Sequence, residues 1–158
     1  MNTIALILIS LLFQLASQIN YLPVEGPTIE SGQMQVEQVK AAVRRVLEEQ
    51  VAAWNRADIE AFMQGYHKSP EITFASGANV IRGWETVLER YRRTYSKDNM
   101  GQLTFSELEI TVLGSDAALV LGRWRLARAQ DSPNGLFTLL FRKTSEGWKI
   151  VHDHTSSS

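Results

Sequence analysis

Two histidines near the end of the chain have the residue type and the spacing for chemistry. His152 and His154 form an H-x-H pair within the run GWKIVHDHTS (147–156). Imidazole suits general acid/base catalysis near neutral pH, and an i, i+2 pair can share a metal ion. The alternative, which we favour, is that both rings line a pocket or the core and orient a ligand. We predict no metal site, because the only other histidine is His67 and no nearby carboxylate suggests itself as a third ligand.

Aromatic side chains could form the walls of a pocket around these histidines. Tyr91 and Tyr95 are the candidates for a proton partner of a histidine base. The residues expected to contact a ligand are Trp54, Tyr66, Phe74, Trp84, Trp124, Phe137 and Leu139. At these helical and strand spacings the alternative is ordinary hydrophobic core. A mostly apolar pocket with a few polar groups suits a small apolar or aromatic molecule.

Three helices are predicted in the first two thirds of the chain. Apolar residues at steps of three and four predict an amphipathic helix over 36–54. Asp58 is a typical N-cap residue and predicts that a second helix begins there, with Tyr66 in its apolar stripe. A third helix follows Gly83 and carries Tyr91 and Tyr95 on its apolar face.

The rest of the domain has the pattern of strands. Two short β-like runs, 72–75 and 80–82, lie next to the third helix. After Lys97 the apolar period becomes two, and its parity slips between Phe105 and Leu108, which predicts a bulge or bend. The remaining strands are predicted at 117–129, 136–143 and 148–156, separated by Gly-, Ser- and Asp-containing turns. The order predicts an α+β, cone-like fold, in which N-terminal helices pack on a strongly curved antiparallel sheet that encloses a pocket.

Strand alternation predicts which face of the sheet each side chain occupies. In the last strand, His152 and His154 share a face with Ile150, and Asp153 lies on the opposite face. We expect the histidine face, together with Phe137 and Leu139, to point toward the helices, so that no carboxylate points inward.

The opposite face of this predicted sheet is too apolar to be exposed. We call it the outer face, and its marker residues are Leu119, Leu121, Arg123 and Leu140. We expect a second copy of the chain to cover it, which makes the protein a homodimer.

Composition and charge exclude several classes of protein. The 158 residues include no cysteine, so disulfides, thiolate metal sites and a cysteine nucleophile are absent. The net charge of −1 provides no overall positive potential that would attract nucleic acid, and we predict no nucleic-acid partner. No phosphate-binding glycine loop or hydrolase motif is present, and no cofactor is expected.

The third helix nevertheless carries a cluster of basic residues. Its members are Arg82, Arg90, Arg92, Arg93 and Lys97. Glu85 and Glu89 alternate with them, which favours a solvated surface over a site for an anionic partner.

The N-terminal segment indicates export. Residues 4–15 form an apolar run that is too short for a stable membrane span, and small residues follow it. We predict a signal peptide over 1–17, a Pro- and Gly-containing linker over 18–34 and the folded domain over 35–158. The protein is then periplasmic or secreted. In the alternative the segment stays uncleaved as a membrane anchor.

Three parts of the sequence together resemble the nuclear transport factor 2-like superfamily. They are GWKIVHDHTS (147–156), DAALVLGRWRL (116–126) and the aromatic-rich third helix. The similarity is greater to its SnoaL-like branch, which includes the association domain of calcium/calmodulin-dependent protein kinase and many uncharacterised bacterial proteins. It covers about 36–156 and implies a cone-shaped domain with a pocket, usually dimeric through the sheet.

The functional residues of the superfamily transfer only in part. The kinase association domain lines its pocket with arginines, and two of those positions correspond to Trp124 and Leu139 here, which argues against an acidic ligand. Ketosteroid isomerases use an inward carboxylate base. Asp153 does not qualify because it is predicted to point outward, and Asp58 does not qualify because it is predicted to cap a helix. Dehydratase-like relatives combine histidine, tyrosine and aspartate.

The sequence leaves open whether the protein is an enzyme. Our first hypothesis is an exported, dimeric module that binds a small apolar or aromatic molecule. The second is a cofactor-independent lyase or isomerase of the ketosteroid isomerase, dehydratase or cyclase kind, with His152 or His154 as base. The third is a structural dimerisation domain whose pocket is filled.

Overall fold

Helices and strands are arranged as the predicted α+β class requires. The computed structural model describes residues 29–96 and 99–158. The helices are α1 (Ile29–Asn55), α2 (Ile59–Met63) and α3 (Trp84–Thr94), and the strands are β1 (Thr73–Ser76), β2 (Asn79–Arg82), β3 (Gln102–Val112), β4 (Ala117–Ala127), β5 (Asn134–Thr144) and β6 (Gly147–Thr155). The helices pack on one curved, unclosed sheet of six strands, which confirms the predicted fold class. No helix within the described ranges combines the length and the apolar character needed to cross a membrane.

Helix α1 packs against β3 and α2 through one face. Its buried side chains recur at steps of three and four up to Ala53, and the adjacent Trp54 is buried as well: Val39, Val43, Leu47, Gln50, Ala53 and Trp54. The helix begins at Ile29, so the predicted linker is helical from that residue onward. Ile29 is 83% exposed and Met34 is 59% exposed, so the apolar side chains of these first turns are not part of the core and give no apolar period that would reveal the helix. The predicted signal peptide and the linker up to residue 28 lie outside the described residues.

The start signals of the two shorter helices are confirmed. The Asp58 carboxylate accepts a hydrogen bond from the backbone N–H of Ala61 at 2.9 Å, as an N-cap does. Helix α3 begins directly after Gly83. Helix α2 is shorter than its apolar stripe indicates. Tyr66 therefore leaves the helix and forms a parallel β-bridge with Ile150 of β6.

The strand that ends the fold lies in the interior of the sheet. The order is β2-β1-β6-β5-β4-β3, and every pair is antiparallel except β1 with β6. Strand β6 therefore joins the β1–β2 hairpin to the β3–β5 meander. On the helix side of the sheet, Val120, Phe137, Leu139 and Phe141 are buried, which confirms the predicted inward face of β4 and β5.

The predicted bulge in the first long strand is present. The register of β3 against β4 shifts between Ser106 and Glu109, and Glu107 has a positive φ of 51°. The extra residue keeps both Phe105 and Leu108 packed against the core in spite of their odd spacing.

Candidate active site

A cavity of about 240 Å³ lies between the helices and the concave face of the sheet. We call it the inner pocket. Eight of the predicted site residues line it: Trp54, Tyr66, Phe74, Tyr91, Tyr95, Trp124, Phe137 and Leu139. Because this space lies directly against Trp124 and Leu139, the hypothesis of a filled pocket is not favoured.

Aromatic rings form most of one wall of the inner pocket. Tyr91 is central among them, and its ring lies 5.2 Å from Phe62, 6.0 Å from Phe74 and 5.9 Å from Tyr95, measured between ring centroids. The ring of Trp54 packs edge-on against Tyr95 at 4.7 Å. These contacts are edge-on except for the stacked pair of Tyr91 and Tyr95, and they make the wall largely apolar.

Trp84 is the one predicted ligand contact that does not line the inner pocket. Its side chain is buried, and its indole N–H donates to the backbone oxygen of Met63 at 3.0 Å. This bond ties the start of α3 to the end of α2. Trp84 is therefore a core residue, which is the alternative that the sequence left open.

The two histidines do not reach the inner pocket, so their predicted inward orientation is wrong. His154 is exposed on the outer side of β6. His152 is half-buried, and its Nδ1 hydrogen bonds to the Thr73 hydroxyl of the neighbouring strand. Within the described ranges no cluster of three His, Asp or Glu side chains could hold a metal ion.

A second bulge causes this reversal. Strand β5 pairs Phe141 with Ile150, but the next pair is Leu140 with His152, so Val151 is an extra residue in β6. At this point β6 also changes its other neighbour. Ile150 bridges to Tyr66, whereas His152 pairs with Thr73 of β1. Beyond the bulge every side chain lies on the face opposite to the one that simple alternation predicts.

Asp153 consequently points inward, and it is the functional candidate that the sequence analysis rejected. It is only 4% exposed and lies on the wall of the inner pocket. One carboxylate oxygen accepts a hydrogen bond from the Tyr66 hydroxyl at 2.6 Å, and the other accepts one from the Thr155 hydroxyl at 2.6 Å. The signal that was available is the adjacent apolar pair Ile150-Val151, which already breaks strict alternation in a strand with one buried face.

Burial determines the electrostatics of this group. It raises the pKa of Asp153 above the ordinary value of 3.8, although the hydrogen bonds from Thr155 and Tyr66 oppose the shift. Burial likewise raises the pKa of Tyr66 and of Tyr91, and the nearby Asp153 charge adds to both shifts. The tyrosines therefore remain protonated donors while the carboxyl can exchange a proton at a higher pH than an exposed aspartate.

The segment after β6 completes the far end of the pocket. The indole N–H of Trp124 donates to the backbone oxygen of Ser156 at 2.9 Å, and Ser156 N–H donates to Leu136 O at 2.9 Å. This close crossing requires glycine at position 135, because a Cβ there would lie 1.9 Å from the Ser156 oxygen. Ser156 and Ser157 thereby become part of the pocket wall.

Comparison with solved structures identifies similar folds. One is the crystal structure of a nuclear transport factor 2-like protein of unknown function from Shewanella oneidensis MR-1. It is 39% identical, covers 74% of this chain and 98% of that chain, and superposes with a TM-score of 0.72. The SnoaL-like domain matches residues 43–158. The sequence matches none of the curated proteins that were compared with it.

Two more distant structures show the same fold at low identity. A protein from Novosphingobium aromaticivorans DSM 12444, provisionally assigned as a scytalone dehydratase, is 10% identical, covers 80% of this chain and 88% of that chain, and has a TM-score of 0.69. The other is a provisionally assigned dehydratase of the nuclear transport factor 2-like family from Streptomyces avermitilis. It is 19% identical, the match covers 77% of this chain and 97% of that chain, and the TM-score is 0.66. These likenesses concern the fold alone.

Proposed function

The chain belongs to the SnoaL-like family, and we propose that it binds a small apolar or aromatic molecule in the inner pocket and transfers a proton there without a cofactor. The fold hosts many activities, so the proposal depends on the site. The single observation that carries it is the buried Asp153 carboxylate beside the Tyr66 hydroxyl, inside an aromatic cavity.

The residues at the site suit abstraction of a proton from a carbon next to a carbonyl group. Asp153 accepts the proton as general base, and a tyrosine hydroxyl donates a hydrogen bond to the oxygen that becomes negative. Tyr91, which also lines the inner pocket, is the better placed donor because Tyr66 already donates to Asp153. The protonated Asp153 then returns the proton to another carbon, giving an isomer, or to a departing β-hydroxyl, giving water and a double bond.

This proposal moves the role of base from the histidines to Asp153. An imidazole base was our second hypothesis, but neither His152 nor His154 lines the inner pocket. The lyase or isomerase class therefore remains, with a different residue as its base.

A ligand-binding module without chemistry is the second candidate function. It is favoured by the fact that both oxygens of Asp153 already accept hydrogen bonds from the protein itself. In that case the carboxylate holds Tyr66 and Thr155 in place, and the pocket only binds its ligand.

Exchange of α-protons distinguishes the two functions without knowledge of the natural substrate. The probe is phenylacetone in D₂O, with deuterium incorporation followed by NMR. We expect the native protein to accelerate exchange and Asp153→Asn to reduce the protein-dependent rate by about a hundredfold or more. His154→Gln, on the other face of the same strand, is the matched control and should keep the native rate. If Asp153→Asn exchanges as fast as the native protein, proton transfer by Asp153 is wrong; if the native protein binds phenylacetone without accelerating exchange, the binding module is the better account.

We also propose that the protein is a homodimer through the outer face. Leu121 is 41% exposed there, and Leu119, Leu140 and Val151 are each half-buried. Ion pairs border this apolar area, including Arg123 with Glu107 at 2.7 Å. A self-complementary apolar centre with a polar rim suits a two-fold interface.

Export is the remaining part of the proposal, and it rests on the sequence of residues 1–17. Cell fractionation of the native host should place the protein outside the cytoplasm. N-terminal sequencing of that material should begin at residue 18 if the signal peptide is cleaved, whereas an intact N-terminus in the membrane fraction would support the uncleaved anchor.

A further inference from the structure

Arg90 of α3 lines the inner pocket, whereas the basic residues Arg92 and Arg93 of the same helix are exposed and do not line it. Arg90 is half-buried and lines the pocket, and its guanidinium carbon lies 5.3 Å from the centre of the Phe74 ring. Arg92, half a turn further on, is exposed and pairs with Glu60 of α2 at 2.6 Å. In the described ranges Arg90 has no such carboxylate partner. Arg90 is therefore set apart from the exposed Arg92 and Arg93, with which the sequence analysis grouped it as one solvated surface.

Phe74 lies next to both charged groups of the inner pocket. It is the register partner of Asp153 across the β1–β6 pair, and its ring underlies the guanidinium of Arg90. A ligand that lies along Phe74 thus meets a cation at one end and the Asp153–Tyr66 pair at the other. The pocket lining contains no other lysine, arginine, aspartate or glutamate among the described residues.

The chemistry of these two ends defines a class of ligand. A guanidinium presents a planar fork of donors that matches a carboxylate, and an interaction in a partly desolvated site is stronger than one in water. One guanidinium pairs with one carboxylate, and the negative charge of Asp153 in its role as base disfavours a second carboxylate on the ligand. The aromatic walls require the rest of the molecule to be apolar.

We infer that the inner pocket takes a small monocarboxylic acid with an aromatic or apolar body, whose carboxylate pairs with Arg90 while its reacting carbon lies at Asp153. This inference rests on the proposed function and specifies its substrate class. It differs from the expectation that the pocket does not take an acidic ligand. That expectation considered only the sheet positions Trp124 and Leu139, whereas the cation comes from α3.

A matched pair of ligands tests the inference directly. The probes are 3-phenylpropanoate and 3-phenylpropanamide, which have the same size and aromatic body but differ in charge. Calorimetry on the native protein should show the acid binding about tenfold to a hundredfold more tightly than the amide, the range for a charge-assisted hydrogen-bonded pair. Arg90→Met keeps an unbranched apolar chain over Phe74 and should bring the ratio to about one without weakening the amide.

Two further variants guard against indirect effects. Arg92→Met removes an exposed charge of the same helix and should leave the ratio at its native value. Arg90→Lys retains the charge without the fork and should give an intermediate ratio. Circular dichroism and thermal melting of each variant establish that it is folded.

Several outcomes would overturn the inference. Equal binding of acid and amide by the native protein would do so, as would a native ratio that persists in Arg90→Met or is lost in Arg92→Met. Failure of the native protein to bind either probe would also count against it. None of these results decides the proposed function, which the exchange of the uncharged ketone tests separately.

Discussion

The two faces of the sheet differ in what their polar side chains imply. On the inner side the polar groups are few and buried, and Asp153 receives its hydrogen bonds from Tyr66 and Thr155. On the outer side the charges are exposed and pair at the surface, as Arg142 does with Asp116. A buried carboxylate is costly to desolvate, whereas exposed ion pairs contribute little to stability. On the inner face the buried polar residues therefore indicate a functional site. On the outer face the exposed apolar residues indicate an interface.

Adjacent leucines on β5 provide the largest expected contrast between the faces. Leu139 is 4% exposed on the inner side, whereas Leu140 is half-buried on the outer side. Leu139→Ala should lower the free energy of unfolding by about 2–3 kcal/mol, and Leu140→Ala by about 1 kcal/mol or less. Urea denaturation of both variants at concentrations where the protein is monomeric measures the difference, because a second copy on the outer face would add to the loss at Leu140. Equal losses in the monomer would contradict the contrast between the two faces.

A charge on the outer face should prevent dimerisation. In a two-fold interface Leu121→Glu would bring two copies of the new charge together, so we expect association at least about tenfold weaker, measured by analytical ultracentrifugation. Val80→Glu is the control, since Val80 is 59% exposed on β2 at the far edge of the sheet. Native association in the Leu121→Glu protein would contradict the proposed interface.

Replacing the Asp153 carboxyl by an amide should raise the free energy of unfolding by an amount that depends on pH. The expected change is smaller than those at Leu139 and Leu121. Because burial raises the pKa of folded Asp153, the folded state keeps the proton to higher pH than the unfolded chain, whose carboxyl titrates near 3.8. The native free energy of unfolding therefore falls as the pH rises from 3.8 through the folded pKa.

Asp153→Asn lacks this proton. Its stability advantage over the native protein should increase across that pH window and then level off at higher pH. Denaturation of both proteins at a series of pH values measures the advantage, and a difference that is constant with pH would contradict the raised pKa.

The smallest effect is expected at the outer histidine. His154 is exposed on β6, one residue from Asp153. His154→Gln should change the free energy of unfolding by no more than about 0.5 kcal/mol, which urea denaturation can test. A larger loss in the dimer than in a Leu121→Glu background would place His154 in the interface.

The sequence predicts the fold well because each element carries its own local signal. The cap at Asp58 and the bulge after Phe105 can both be read from residue type and spacing. The bulge at Val151 leaves a weaker trace, the adjacent apolar pair Ile150-Val151, which does not show which of the two residues is the buried one. Its cause is the change of neighbours from Tyr66 to Thr73, which is a long-range feature.

The candidate site was therefore predicted in part. The aromatic walls follow from apolar periodicity, which places Trp54, Phe137 and Leu139 toward one cavity. The choice between Asp153 and His152 depended on a single extra residue in the last strand. Which cation of α3 turns inward was equally inaccessible, because it depends on the position of the Phe74 ring.

The central position of β6 has a consequence for the order of folding. The β1–β2 hairpin and the β3–β5 meander have no strand pairing with each other until residues 147–155 are inserted between them. The contact between Tyr66 and Asp153 spans 87 residues, so it can form only after most of the domain has been synthesised. Pairing between strands that are distant in sequence forms slowly. Until β6 is in place, the edges of β1 and β5 that it will pair with are exposed. The wall of the inner pocket that carries Asp153 is therefore complete only when β6 has paired with both β1 and β5.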